Sequence, residues 1–228
     1  MKIEFCIESV KGAKAAQKYE ASSVELCSEL ENDGLTPSEA LITKCKSIYQ
    51  GKIHIMIRPR TGDFVYSTKE INQMKKEISL AKKLNVNGVV FGVLNSKSEI
   101  DVKPTQLLAS HAKMLGLSTT FHRAYDFCIS PISSIEKLIE LKFDRLLTSG
   151  QSSNAETGIN LLNKIKKKVE NKIEIIAASG INESNAHLFY EKVDGIHFTV
   201  HNKKKTIKDL DYINKYKIKK IKQLSNEL

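Results

Sequence analysis

Long apolar runs are missing from this sequence, and none approaches the roughly 18 consecutive residues that a membrane-spanning helix requires. The opening residues, MKIEFCIESVKG, carry Glu4 and Glu8 where a secretory leader needs an unbroken apolar stretch. A cytoplasmic protein with no membrane partner is therefore expected. Cysteine is scarce: Cys6, Cys27, Cys45 and Cys128 include no CxxC pair, which argues against a structural zinc site or a disulfide framework and predicts free thiols. Internal repeats and low-complexity linkers are also absent, and no GxGxxG follows the first apolar run. Nothing marks a second domain or an open dinucleotide-binding sheet.

What is present fits one globular domain. At 228 residues, 41% hydrophobic and 27% charged, the chain can bury a sizeable core and keep a polar surface. The net charge of +10 invites a nucleic-acid reading, but its location argues against one. Residues 203–228 hold nine lysines against Asp209, Asp211 and Glu227, a local excess of +6, with no interleaved aromatic patch. That stretch reads as a basic amphipathic helix, with Ile207, Leu210, Ile213, Ile218, Ile221 and Leu224 as an apolar stripe that packs on the rest of the chain or on a dimer partner.

Eight short apolar runs recur along residues 1–202: KIEFCI (2–7), SVELC (23–27), KIHIMIR (52–58), GVVFGV (88–93), LSTTFH (117–122), DRLLTS (144–149), KIEIIAAS (172–179) and GIHFTV (195–200). Amphipathic stretches separate them, with start signals at Thr36-Pro37, at Ser67 and at Ser153 with Glu156 as a capping box. Strict alternation of strand and helix predicts parallel strands joined by right-handed crossovers, and eight such units close a single-domain (β/α)8 TIM barrel. The connections 28–37 and 59–66 are longer than most in such barrels, and long loops at strand C-termini are where barrel sites lie.

Barrel strands are buried on both faces and should be almost wholly aliphatic. Here Glu4 with Cys6, Glu25 with Cys27, and His54 with Met56 and Arg58 each share one face by the period-two alternation of a strand. Buried carboxylates are costly unless paired. Glu4, Glu25, His54 and Arg58 are thus expected inside the C-terminal half of the barrel, mutually hydrogen-bonded, as a structural charge network or as an active site.

The segments ELCSELENDGLTPS (25–38), HIMIRPRTGDFVYS (54–67), GVVFGVL (88–94), TFHRAYD (120–126) and RLLTSG (145–150) resemble the signature blocks of the CutC family, in order and from Met1 to about His201. The sequence departs from that family's paired glycines at Asp33-Gly34 and Thr61-Gly62, and from its glycine-rich loop after the seventh strand, here AASG (177–180). The resemblance implies a cytoplasmic, dimeric barrel associated with copper homeostasis, with a metal or small ligand at the C-terminal mouth.

Two chemistries fit these residues. Copper(I) prefers soft thiolate and thioether ligands, which Cys6, Cys27 and Met56 supply on consecutive strands, although cysteine and methionine are also ordinary core residues. Alternatively, the barrel is an enzyme acting on a small carboxylate or phosphate, with Arg58, Arg60, Arg123, Ser149 and His197 binding substrate and Glu25, His122 and Asp126 exchanging protons. Arg58 or Arg60 could instead pair with Asp63 to hold the loop. Barrel shear leaves it open whether Cys6 and Cys27 share a layer.

Overall fold

In the computed structural model, which describes residues 1–201 and 213–226, eight parallel strands close into a barrel in sequence order. The strands are β1 (Lys2–Ile7), β2 (Ser23–Leu26), β3 (Lys52–Met56), β4 (Gly88–Phe91), β5 (Ser118–Phe121), β6 (Arg145–Thr148), β7 (Glu174–Ala178) and β8 (Gly195–Thr199). Helices α1 (Val10–Lys18), α2 (Glu39–Lys46), α3 (Thr68–Lys83), α4 (Val102–Met114), α5 (Pro131–Glu140) and α6 (Ile159–Val169) follow the first six strands. This is a TIM barrel. One unit departs from strict alternation: β7 is followed only by the short 3-10 turn Ala186–Phe189.

Local chemistry accounts for the helix starts. Ser9 and Ser38 accept hydrogen bonds from Gly12 N and Leu41 N at the N-termini of α1 and α2. Ser67 and Glu70 form a reciprocal capping box on α3. The box expected at Ser153 and Glu156 does not form. Helix α6 begins later, after Gly158, and Glu156 instead accepts a hydrogen bond from Asn185 Nδ2 at 3.0 Å.

The apolar core lies between the strands and the surrounding helices. Outward strand residues such as Phe5, Ile55, Phe91 and Phe121 are fully or almost fully buried there, and Phe5 packs on Phe198 at 5.2 Å between ring centroids. Each such side chain contributes about 1.5–3 kcal/mol of burial. A seventh helix, α7 (Lys215–Asn226), adds Ile218 and Ile221 to the same core, both fully buried, with Ile213 packed beside them. Ile207 and Leu210 lie outside the described residues. Among those described, no helix is long and apolar enough to cross a membrane.

The inward faces are polar, as the alternation in β1, β2 and β3 predicts. The register pairs Glu4 with Ser23 and His197, and Glu25 with Cys6 and His54. These pairings stack the interior in layers. The long connections after β2 and β3 rise over the C-terminal ends and wall a mouth cavity of about 1020 Å³.

Candidate metal and ligand site in the barrel mouth

Below the cavity lies a network of buried charge. Arg145 Nη2 donates to Glu4 Oε2 at 2.7 Å, and its Nη1 lies 2.5 Å from His54 Nδ1, which is itself 3.1 Å from Glu4 Oε2. Ser23 Oγ donates to the same Glu4 oxygen at 2.7 Å. Glu174 lies 3.7 Å from Arg145 Nε and also accepts from Lys2, which extends the chain of charges to the barrel floor. Burial alone would raise the Glu4 carboxyl, but Arg145 and the two histidines beside it hold it well below the usual range. Glu4 is thus an ionised, fully partnered carboxylate.

One layer higher, His197 stands between two carboxylates. Its Nδ1 is 3.1 Å from Glu4 Oε1 and its Nε2 is 3.4 Å from Glu25 Oε2. Burial disfavours the imidazolium, yet the Glu25 charge, Cys6 and Glu4 outweigh it and hold His197 well above its ordinary value. Cys6 Sγ donates to Glu25 Oε2 at 3.5 Å. Burial, opposed by His197 and reinforced by the Glu4 charge, raises the Glu25 carboxyl. Glu25 Oε1 is buried without a hydrogen-bond partner.

The stagger of the barrel brings the soft donors together. Cys6 pairs in register with Glu25, yet the tilt of the strands packs Cys6, Cys27 and Met56 into one buried cluster with Val90. A hydrogen bond to Cys27, followed by burial and the charge a Cys27 thiolate would carry, pushes the Cys6 thiol well up. In Cys27 the bond to Cys6 acts downward, but burial and Glu25 raise it. Gly34 packs on Cys27 and Met56: a Cβ there would lie 3.3 Å from Cys27 Cβ and 3.6 Å from Met56 Cε, and its φ of +82° favours glycine. One ligand atom each from Cys6, Glu25 and His197 lies within 4.8 Å of the other two, a spacing that a metal ion could bridge.

The residues expected to bind an anion are dispersed differently. Arg58 is buried but stands outside the Glu4 network, where Arg145 takes the place expected of it. Its Nη1 donates to Asn32 O and Gly34 O at 3.1 and 3.4 Å, and its Nη2 to Gly62 O at 2.9 Å. Arg60 does not line the cavity, because it is spent on its own loop: it donates to Glu70 Oε1 at 2.6 Å, to Asp63 Oδ1 at 2.8 Å and to the Val65 carbonyl at 2.6 Å. Asp126 is a loop brace rather than a free base, accepting from Thr148 Oγ1, Ser149 N and Oγ, Gln151 N and Arg123 Nε. Ser149 is consumed by the same brace. Arg123, although held by Asp126, borders the cavity together with Glu25, His122 and His197.

His122 presents one nitrogen with no partner. Its Nδ1 accepts from Ala124 N at 3.1 Å, so the proton of the neutral ring sits on Nε2, which is buried and unpaired. Burial, then the Arg58 charge, lowers its pKa to about 3. Arg145 is the network member that sequence reasoning missed. Its only signal was a charged residue opening an apolar run, which reads as a strand boundary.

Comparison with known proteins agrees with this architecture. A family protein CutC of Glaesserella parasuis is 38% identical over 92% of this chain and 86% of its own length. Another, of Pasteurella multocida, is 42% identical over 82% of this chain and 76% of its own. The solved structure of a copper homeostasis protein CutC from Streptococcus agalactiae superposes with a TM-score of 0.81 at 30% identity, covering 86% of this chain and 97% of that one. The profile of the CutC family matches residues 1–206, the whole barrel from β1 to β8, and on that match this chain belongs to the CutC family.

Proposed function

We propose that this protein handles copper(I) as cargo, bound at the floor of the barrel mouth by Cys6 and Cys27, with Met56 and His197 as the neighbouring soft and imidazole donors. The observation that carries the reading is the convergence of Cys6, Glu25 and His197 within 4.8 Å, with Cys27 and Met56 packed on Cys6. Thiolate and thioether donors suit copper(I), and the buried cluster keeps water away from an ion that is readily oxidised. Association of the family with copper homeostasis, by name, points the same way. The four cysteines are all free, which fits a reducing cytoplasm, the compartment we assign.

Both thiols are pushed up, so they are protonated at neutral pH and copper must displace their protons. Glu25, which accepts from Cys6 Sγ at 3.5 Å, is the nearest acceptor for one of them. Anaerobic titration against a chromophoric copper(I) chelator should show about one ion per chain, with Cys6→Ser and Cys27→Ser each abolishing it, since one thiolate cannot replace two. Unchanged binding in the double variant would overturn the assignment. A homodimer is the expected assembly, and sedimentation at several protein concentrations checks it.

A further inference from the structure

We propose that the opposite wall of the cavity is an anion subsite in which Arg58 Nε and His122 Nε2 bind a small monocarboxylate once the Phe64 side chain turns aside. The argument begins with an uncompensated charge. Arg58 is only 4% exposed, and a guanidinium stays protonated at any physiological pH. Its Nη groups donate to three backbone carbonyls, its side chain also meets the Tyr66 hydroxyl, and among the described residues no carboxylate lies within ion-pairing distance. Tyr66, which also faces Arg58, is neutral, its hydroxyl pushed up to about 12 by burial. Arg145, the other buried arginine, has a carboxylate partner. A buried cation without a counterion is costly, and an anion from outside would remove that cost.

Two donors are ready for it. Arg58 Nε and His122 Nε2 are both buried, neither makes a hydrogen bond of normal geometry, and both belong to residues that line the cavity. His122 is neutral, so the pair offers two N–H groups and a single positive charge. That count matches the two oxygens and single charge of a carboxylate better than a phosphate dianion. Glu25 Oε1, the third unpartnered buried atom of the same cavity, belongs to a carboxyl whose protonation is favoured.

Phe64 is their shared neighbour. Its ring lies 5.0 Å from the Arg58 guanidinium carbon and 4.9 Å from the His122 ring centroid, packed against both donor residues. Its carbonyl accepts from Leu94 N at 2.9 Å, and Arg60 braces the surrounding loop, so the backbone is fixed and only the side chain can move. Phe64 is half-buried and leans on the exposed Phe127 at 5.6 Å, which leaves it room to rotate on the cavity side.

The test uses full-length protein labelled with ¹⁵N at histidine and titrated with acetate, pyruvate and, for comparison, inorganic phosphate. The proposal expects a saturable shift of the His122 Nε2–H resonance with the carboxylates. Removal of one charge-assisted partner should weaken that binding about tenfold or more, in Arg58→Gln and in His122→Phe alike. Phe64→Ala, which leaves both donors intact, should bind more tightly than the parent, and this variant decides the matter if the other two fail to fold. No His122 shift with millimolar acetate or pyruvate in either parent or Phe64→Ala would overturn the proposal. So would undiminished binding in folded Arg58→Gln, or phosphate binding as strongly as the carboxylates. None of the three residues is a proposed copper ligand, so loss of the copper reading leaves this one standing.

Discussion

The lower and upper layers of the barrel interior contain the same kinds of residue and differ in how completely those residues are partnered. In the lower layer Glu4 meets Arg145, Ser23, His54 and His197, and Arg145 touches Glu4, His54 and Glu174. In the upper layer Arg58 meets carbonyls, the Tyr66 hydroxyl and the Phe64 ring but no carboxylate, while Arg58 Nε, His122 Nε2 and Glu25 Oε1 make no hydrogen bond of normal geometry. Complete partnering makes buried charge a structural element. Incomplete partnering around a cavity leaves binding capacity that folding did not use.

The sharpest way to break this contrast is to remove one arginine from each layer. Arg145→Met strands an ionised, buried Glu4 and should cost about 3–5 kcal/mol of unfolding free energy. Arg58→Met strands no carboxylate, only backbone carbonyls, and should cost about 1–2 kcal/mol. Urea unfolding of both proteins gives the comparison, and equal losses would dissolve the distinction between the layers.

The pH dependence of stability sharpens it further. Glu4 has a depressed folded pKa, so its contribution is present above the ordinary value of 4.5 and is lost as the pH falls from there through the folded value. Glu25 has a raised folded pKa, so its contribution is present below 4.5 and is lost as the pH rises through the folded value. Glu4→Gln should therefore flatten the acid limb of the stability profile, and Glu25→Gln should flatten the decline on its alkaline side. Chemical denaturation from about pH 3 to about pH 8, a range that reaches below the usual stability maximum, tests both signs.

The smallest effect has the opposite direction. Thr120 is 1% exposed and its hydroxyl has no partner, while the residue is not among those lining the cavity. Thr120→Val keeps the shape and deletes the unsatisfied group, so it should stabilise the protein by about 0.5–1 kcal/mol. Destabilisation in a thermal melt would mean that Thr120 does have a partner, such as an ordered water.

Legibility varied with the distance over which an interaction acts. Period-two alternation placed Cys6, Cys27, Met56, Glu4, Glu25 and His54 inside the barrel, because a strand directs every second side chain to one face whatever its neighbours are. The bond of Arg60 to Asp63 was readable as an alternative, since the two are three residues apart. The partner of Glu4 was not, because Arg145 is 141 residues away and reaches it only across the closed barrel. The early capping box failed for a local reason: Asn154 forms its own turn with Thr157, and Gly158 delays the helix.

By itself the sequence determined the eight βα-like units, the barrel and the inward faces of its first three strands, since hydrophobic periodicity and turn chemistry act within a few residues. Only the tertiary structure decided which buried charges meet. Closure and shear set whether Cys27 is level with Cys6, why Arg145 rather than Arg58 neutralises Glu4, and how Phe64 comes to pack on both Arg58 and His122. Those contacts depend on where strands far apart in sequence are held, and no local pattern encodes the tilt of a closed sheet.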